Sequence, residues 1–331
     1  MSETIPTVWR IDIEPDGFDA HRSREPWHGF VTVAKRAESL RRNLTQQTGC
    51  AVNPTWFLRL DPHIEYCFGQ RDFVVKKHEK VFDHLITQND PLGVHIHPYR
   101  WDHEREMLFT EHCDEWAIEC LNVAAETFHN CFEAPVRRAC MGGYFLTESI
   151  LDAAVRLGIE TDVTAEPGLA PKQIDPSFGK YATAPSTDFR NFPQRPFYPS
   201  RERLDMPAAC RAAARPILLV PLTAYDYGFT LAPWPARAAA AFLPIRRRHL
   251  PLNPWKAWPN PKVYWDFVMR AADEQSPRYF AFAIRTDDPN SQLHRRVWEL
   301  LDFLPRHPIA RRLRFVDPLS PEIRALAIPS A

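Results

Sequence analysis

The chain has 331 residues, 45% of them hydrophobic, with 41 basic and 41 acidic side chains and a formal net charge of zero. That length holds one large domain or two modest ones, and the balanced charge argues against a nucleic-acid binder, which needs a basic excess to neutralise phosphates. No apolar run approaches the roughly 20 residues that span a bilayer, and "MSETIPTVWRIDIE" lacks the basic-then-apolar order of a signal peptide.

Seven cysteines without paired spacing read as reduced thiols, consistent with a cytoplasmic protein. Cys113, Cys120 and Cys131 with His112 lack a CxxC knuckle and read as structural. The basic clusters "IRRRH" (245–249) and "ARRLRF" (310–315) read as solvated faces. Prolines, 32 against 11 glycines, concentrate between 166 and 261. Proline-rich insertions at about 168–215 and 228–262 also carry Trp, Phe and Tyr, so they are expected to be ordered by packing within one domain, 1–331.

Candidate elements alternate along the chain. "TVWRIDIE" (7–14) is a first strand; Val33, Ala37, Leu40 and Leu44 then mark a helix that stops at Gly49. "NPTWFLRLD" (53–61) is a second strand, followed by a helix over 74–88. "LGVHIHP" (92–98) is a third, followed by a helix on Ala117, Leu121, Ala124 and Phe128. "VRRACM" (136–141) is a fourth, and the helix over 146–158 has Thr147 as its cap and Gly158 as its stop. "ETDVTAEPG" (160–168), "PILLVPLTAYD" (216–226) and "RYFAFAIRTDD" (278–288) supply three more strands. A helix with Pro289 in its first turn runs on Leu293, Val297, Leu300 and Leu304. "RLRFVDPLS" (312–320) is an eighth or closing strand.

Strands alternating with helices of this length make βαβ units and a parallel sheet. Seven or eight of them fit a closed barrel better than an open sheet. No GxGxxG, GxxxxGK[ST] or GxSxG occurs, which removes support for nucleotide binding of those kinds and for serine hydrolase chemistry.

Side-chain parity then groups the polar residues. Arg10, Asp12 and Glu14 share a face of the first strand; Thr55, Phe57, Arg59 and Asp61 share one of the second. Gly93, His95 and His97 share one of the third, Arg138 represents the fourth, and Ala281, Ala283, Arg285 and Asp287 the seventh. These polar residues are expected at the C-terminal strand ends, where barrel enzymes build their sites. Two imidazoles at i,i+2 facing a carboxylate form a catalytic zinc-type ligand set with open positions. "DIEPD" (12–16) offers three carboxylates, enough for a ligand and a general base. "HEKVFDH" (78–84) has Phe82 in place of the second HExxH histidine spacing and reads as an exposed helix.

"RIDIEPDG", "GVHIHP" and "RRACMGGYFLTESILDAAVRLGIETDVTAEPG", with "RPILLVPLTAYD", resemble the NodB-type polysaccharide deacetylases, carbohydrate esterase family four. The resemblance runs from about residue 7 to 317 as spaced motifs and is closest to the branch labelled lipopolysaccharide or polysaccharide biosynthesis deacetylases. It implies an α/β fold, a distorted (β/α)7–8 barrel, and metal-dependent removal of N- or O-acetyl groups from sugars. Residue by residue, it implies Asp12 as general base and Arg138 as the arginine that orients it. It implies Glu14, His95 and His97 as metal ligands with Asp16 as a competing carboxylate, the ion being zinc with cobalt or nickel as alternatives. Asp61, Arg285 and Asp287 are candidate substrate-binding residues.

Three departures stand out. The histidine motif is H-x-H here and H-x-x-x-H in the family, and the adjacent acid pair is stretched to D-x-E. The late strand "FAIRTDD" has no histidine for the general acid, so His21 or His28 is a candidate replacement. The expected substrate is an acetylated carbohydrate. The alternatives are a non-catalytic relative that binds a glycan or a partner, or a C–N hydrolase on the same barrel.

Overall fold

The computed structural model describes residues 4–16, 27–102, 107–172, 184–226, 249–255, 258, 260–274 and 278–327. Its centre is β1 (Ile5–Ile13), whose alternation divides two environments. Ile5, Trp9, Ile11 and Ile13 point into the large apolar layer beneath the helices, while Val8 joins a smaller cluster on the other face. Arg10 and Asp12 lie above Val8 on that same face, as strand parity requires.

Parallel partners flank β1 on both sides: β2 (Thr55–Leu58) pairs with its second half, and β11 (Phe280–Arg285) runs along Thr7–Asp12. The path continues through β3 (Leu92–Ile96), β6 (Arg138–Met141), β7 (Thr161–Asp162) and β8 (Leu218–Leu219). The expected closing strand is β12 (Leu313–Phe315), paired with Ile5–Thr7. Among the described residues no strand ladder joins β8 to β11. The gap is crossed by Thr223, whose amide donates to the Ala281 carbonyl (2.9 Å) and whose hydroxyl accepts from the Ala281 amide (2.8 Å). This is a distorted (β/α) barrel.

The helices end where local chemistry ends them. α1 (His28–Thr48) buries Phe30, Val33, Ala37, Leu40 and Leu44 at helical spacing and stops at Gly49, which takes φ 71°. α2 (Pro62–Phe68) starts on Asp61, whose side chain accepts from the His63 amide. The helix expected over 74–88 is broken at His78 into α3 (Phe73–Lys77) and α4 (Glu79–Thr87). The "HEKVFDH" stretch spans that break, with Phe82 and Leu85 packed inward.

After β3 the chain folds back as a hairpin, β4 (Tyr99–Asp102) against β5 (Met107–Thr110), which periodicity had not indicated. α5 (Asp114–Phe132) is capped by the Cys113 sulfur and α6 (Glu148–Arg156) by Thr147, as expected. The two-stranded pair β9 (Ala224–Asp226) and β10 (His249–Pro251) brackets residues 227–248, which lie outside the described set together with most of the basic cluster at 245–249. α7 (Pro261–Glu274) follows, burying Tyr264, Trp265, Val268, Ala271 and Ala272. α8 (Gln292–Phe303) is capped by Ser291, so the helix starts beyond Pro289. α9 (Pro321–Leu326) closes the N-terminal end of the barrel, its Ile323 joining the cluster that holds Val8 and Phe57. All seven cysteines are free thiols, and no helix of the described residues is long and apolar enough to cross a membrane.

Arg138 departs from expectation. It stands first in β6, at the N-terminal end of the barrel, and forms a two-pronged pair with Asp317 just beyond β12 (Nε to Oδ1, 2.8 Å; Nη2 to Oδ2). Its side chain is 14% exposed. Asp317→Ala strands that guanidinium, and is expected to lower the unfolding free energy by about 1–3 kcal/mol, measured by urea titration.

Candidate active site

Glu14 follows the last residue of β1 and is held by a residue 272 positions away. The Thr286 hydroxyl, just past β11, accepts from the Glu14 amide (2.8 Å) and donates to the Glu14 carbonyl (2.9 Å). The Thr286 amide also donates to the Asp12 carbonyl at 3.0 Å. The Glu14 side chain is thereby aimed across the barrel mouth at β3. Oε1 lies 2.9 Å from His95 Nε2 and 2.8 Å from His97 Nε2, and the two nitrogens are 3.0 Å apart. Oε2 accepts from Arg59 Nη1 at 2.7 Å. All these side chains are buried.

The tautomer of His95 decides what this triangle means. Its Nδ1 lies 3.2 Å from the Cys140 carbonyl, which can only accept, so Nδ1 carries the proton. In the neutral ring, Nε2 then presents a lone pair toward Glu14 Oε1 and His97 Nε2. A carboxylate oxygen and a bare imidazole nitrogen at this distance repel unless a positive charge lies among them. An ion about 2.0–2.2 Å from such N and O atoms wants them about 3.3–3.6 Å apart in tetrahedral geometry, so the triangle is tight and needs about half an ångström of opening. A backbone carbonyl orienting a ligand histidine is the usual supporting contact at metal sites. The donor set fits a divalent ion.

His97 is held by packing. Its Nδ1 has no partner among the described residues. The ring stacks on Tyr99 (centroids 4.7 Å, 25°) and meets His95 edge-on (4.7 Å, 90°). Gly142 lies beneath it, and a Cβ there would penetrate the imidazole. Burial pushes the His97 pKa down to about 3 against the pull of Glu14, so the ring is neutral. Burial alone would raise the Glu14 pKa, but the surrounding groups, the Arg59 guanidinium among them, outweigh it and hold the carboxyl well below its usual range.

Asp12 lies one step deeper. Arg10 grips both its oxygens (Nε to Oδ1, 2.7 Å; Nη2 to Oδ2, 2.6 Å) and donates its third arm to the Val163 carbonyl at 2.8 Å. Burial raises the Asp12 pKa, and the charge and hydrogen bonds of the Arg10 guanidinium help bring it below the ordinary value. Carboxylate Asp12, imidazole His95 and thiol Cys140 also offer ligand atoms within 4.8 Å of one another, as do Glu14, His95 and His97. The guanidinium that orients Asp12 is therefore Arg10, two residues earlier on the same strand face, and the role expected of Arg138 is not available to it.

Asp61 is fully buried and occupied. It accepts from Arg59 Nε (2.5 Å) and Nη2 (3.1 Å), from the His63 amide (3.2 Å) and weakly from the His97 amide (3.4 Å). A side chain so enclosed holds Arg59 in place beneath Glu14 and offers no face to substrate. Asp16 is engaged elsewhere: both its oxygens accept from the Gly29 amide at the start of α1 (2.8 and 3.1 Å). Arg285 stands at the rim with its side chain 38% exposed, 3.9 Å from Glu14 Oε1 and 2.9 Å from Asp287. His21 lies outside the described residues, and His28 is exposed on the first turn of α1, beside Thr32. Arg10, Arg59 and Thr286 are the supporting residues that sequence reasoning missed. For the two arginines the signal was present, since each precedes a carboxylate by two residues on one strand face.

No family model matches the chain, and no curated protein matches it. Among solved structures it is similar to a candidate glycoside hydrolase/deacetylase from Parabacteroides distasonis, at 13% identity and TM-score 0.50, covering 96% of this chain and 70% of that one. It is likewise similar to a candidate polysaccharide deacetylase from Mycobacterium smegmatis, at 8% identity and TM-score 0.50, covering 100% of this chain and 94% of that one. At such identities the likeness is one of fold. The chain has the distorted (β/α) barrel of the NodB-type polysaccharide deacetylases.

Two expectations follow. Gly142→Ala displaces the His97 ring, and divalent-metal affinity, measured by competition with a chromophoric chelator, is expected to fall at least about tenfold. Burial holds both His63 and His112 down to a pKa of about 4. Between there and the ordinary value near 6.5 the unfolded chain binds protons that the folded chain refuses, so stability is lost as pH falls through that window. The loss is expected to reach up to about 1.4 kcal/mol per pH unit for each histidine, read from urea unfolding at pH 7, 6 and 5.

Proposed function

We propose that the protein is a metal-dependent hydrolase that removes an acetyl group from a sugar or glycan precursor, with zinc, or cobalt or nickel in its place, held by Glu14, His95 and His97. The observation that carries this reading is the meeting of Glu14 Oε1 and the two Nε2 atoms within 3.0 Å, with the His95 lone pair turned inward. Similarity of fold to a candidate polysaccharide deacetylase supports a carbohydrate as the substrate. An ion in this place supplies Lewis acidity toward a carbonyl oxygen and brings the pKa of a bound water toward neutrality.

The protein's own groups divide the remaining work. Asp12, ionised and fixed in plane by Arg10, takes the proton of the attacking water through its free lone pairs. Arg285, turned toward Glu14 at the rim, faces the negative charge that develops on the acyl oxygen, with Asp287 holding its other side. β11 passes into Arg285-Thr286-Asp287, which supplies no imidazole at that strand end. Asp12 therefore also returns the proton to the departing atom; its depressed pKa makes the protonated form a ready donor. This one-residue relay suits an O-acetyl ester, whose oxygen leaves more readily than an amine.

That the Arg285-Thr286-Asp287 strand end carries no histidine also favours a second reading, a non-catalytic relative that holds a glycan at this site. Metal analysis and acetate release separate the possibilities. Wild-type protein is expected to carry about one divalent ion per chain, and His95→Ala and His97→Ala to lose it; equal metal in all three overturns the site. With metal in place, acetate release from O- and N-acetylated sugars is expected, falling by about 10²–10⁴ in Asp12→Asn. Metal binding with no release from any sugar leaves the second reading.

A further inference from the structure

We propose that a second site, at the opposite end of the barrel, binds a phosphorylated organic anion of the nucleoside diphosphate class. A cavity of about 610 Å3 lies between the segment leading into β8 and the C-terminal helix α9. That volume suits a nucleotide-sized ligand. Its lining includes Arg215 and Pro216, directly before β8, and Arg324, which pairs with Glu160 directly before β7. These are N-terminal strand ends, whereas Glu14, His95 and His97 sit at the C-terminal ends. The cavity is separate from the candidate active site.

Its charge is uncompensated. Arg195, Arg201 and Arg211 line it, all exposed, and none makes a side-chain ion pair or hydrogen bond among the described residues. Nearby arginines of the same stretch behave differently. Arg190 pairs with Asp188, Arg203 with Asp205 at 2.6 Å, and Arg215 with Asp152 at 2.9 Å. Arg324 is likewise committed, at 2.6 Å from Glu160. Three unmatched guanidinium groups around one cavity repel one another, and a multiply charged anion offsets that repulsion. The planar fork of arginine matches phosphate oxygens in pairs.

The floor calls for more than a bare phosphate. Phe197 and Ala208 are buried there, and Tyr198, half-buried, lines the wall. The Tyr198 hydroxyl makes no hydrogen bond among the described residues, so a donor stands free beside an apolar surface. A flat base or sugar covers such a surface, and the diphosphate reaches the arginines.

Calorimetric titration of the full chain with uridine diphosphate and with inorganic pyrophosphate, at 150 mM salt (an order-of-magnitude physiological value), tests this. Uridine diphosphate is expected to bind at least about tenfold more tightly than pyrophosphate. The Arg201→Gln/Arg211→Gln pair is expected to weaken it at least about tenfold, since each bidentate contact is lost. An Arg295→Gln/Arg296→Gln pair, the same charge change on the exposed face of α8, is expected to leave it unchanged, as is His95→Ala. Alkylation of the exposed Cys210, which lines the cavity, is expected to slow when uridine diphosphate is present. Absence of saturable binding, equal affinity for the two anions, or equal loss in both arginine pairs overturns the proposal.

Discussion

One oxygen atom organises this barrel. Glu14 Oε1 stands within 3.0 Å of two imidazole nitrogens, and one of those nitrogens has its proton on the far side of the ring. Everything around the atom serves to keep it there. Arg59 takes the other oxygen, Asp61 takes Arg59, and Asp61 in turn is the cap of α2. The arrangement is a chain of alternating charges running outward from a point whose own cation, Arg285, stands 3.9 Å away at the rim. The buried set holds one more carboxylate (Asp12, Glu14, Asp61) than guanidinium (Arg10, Arg59), an imbalance that a cation among them would offset.

The part of this that sequence made legible is the part that strand periodicity controls. Side chains two residues apart on a strand share a face whatever the fold. Asp12 and Glu14, and His95 and His97, could therefore be placed together without knowing how β1 meets β3. The helices with apolar stripes and stop residues, α1 and α6, were equally visible. What remained hidden depends on register between distant strands. Thr286 meets Glu14 only because β11 lies beside β1 with Arg285 opposite Asp12. Arg138 was assigned by likeness of motif, and its actual partner, Asp317, lies 179 residues away at the other end of the sheet.

Two further features carry a signal in the sequence. α7 shows Tyr264, Trp265, Val268, Ala271 and Ala272 at helical spacing, a pattern masked by the proline-rich stretch before it. Arg10 and Arg59 each stand two residues before an acid on the same face, and a bidentate pair was the natural reading of that spacing. The hairpin of β4 and β5 had no comparable signal, since strands of four residues are too short for alternation to stand out. Its importance is that it places Tyr99 flat on His97, so the polar site has an aromatic wall.

The Thr286 clasp also constrains when the site can come into being. A ribosome delivers β1 first and β11 nearly last, yet the backbone of Glu14 is pinned by a hydroxyl 272 positions downstream. Contacts of such sequence separation form late, because the loop they close must first be gathered in. Until then the carboxyl at residue 14 has no fixed aim, and the emerging polypeptide holds His95 and His97 without the carboxylate that meets them. Assembly of the centre is in this sense a checkpoint on completion of the whole barrel.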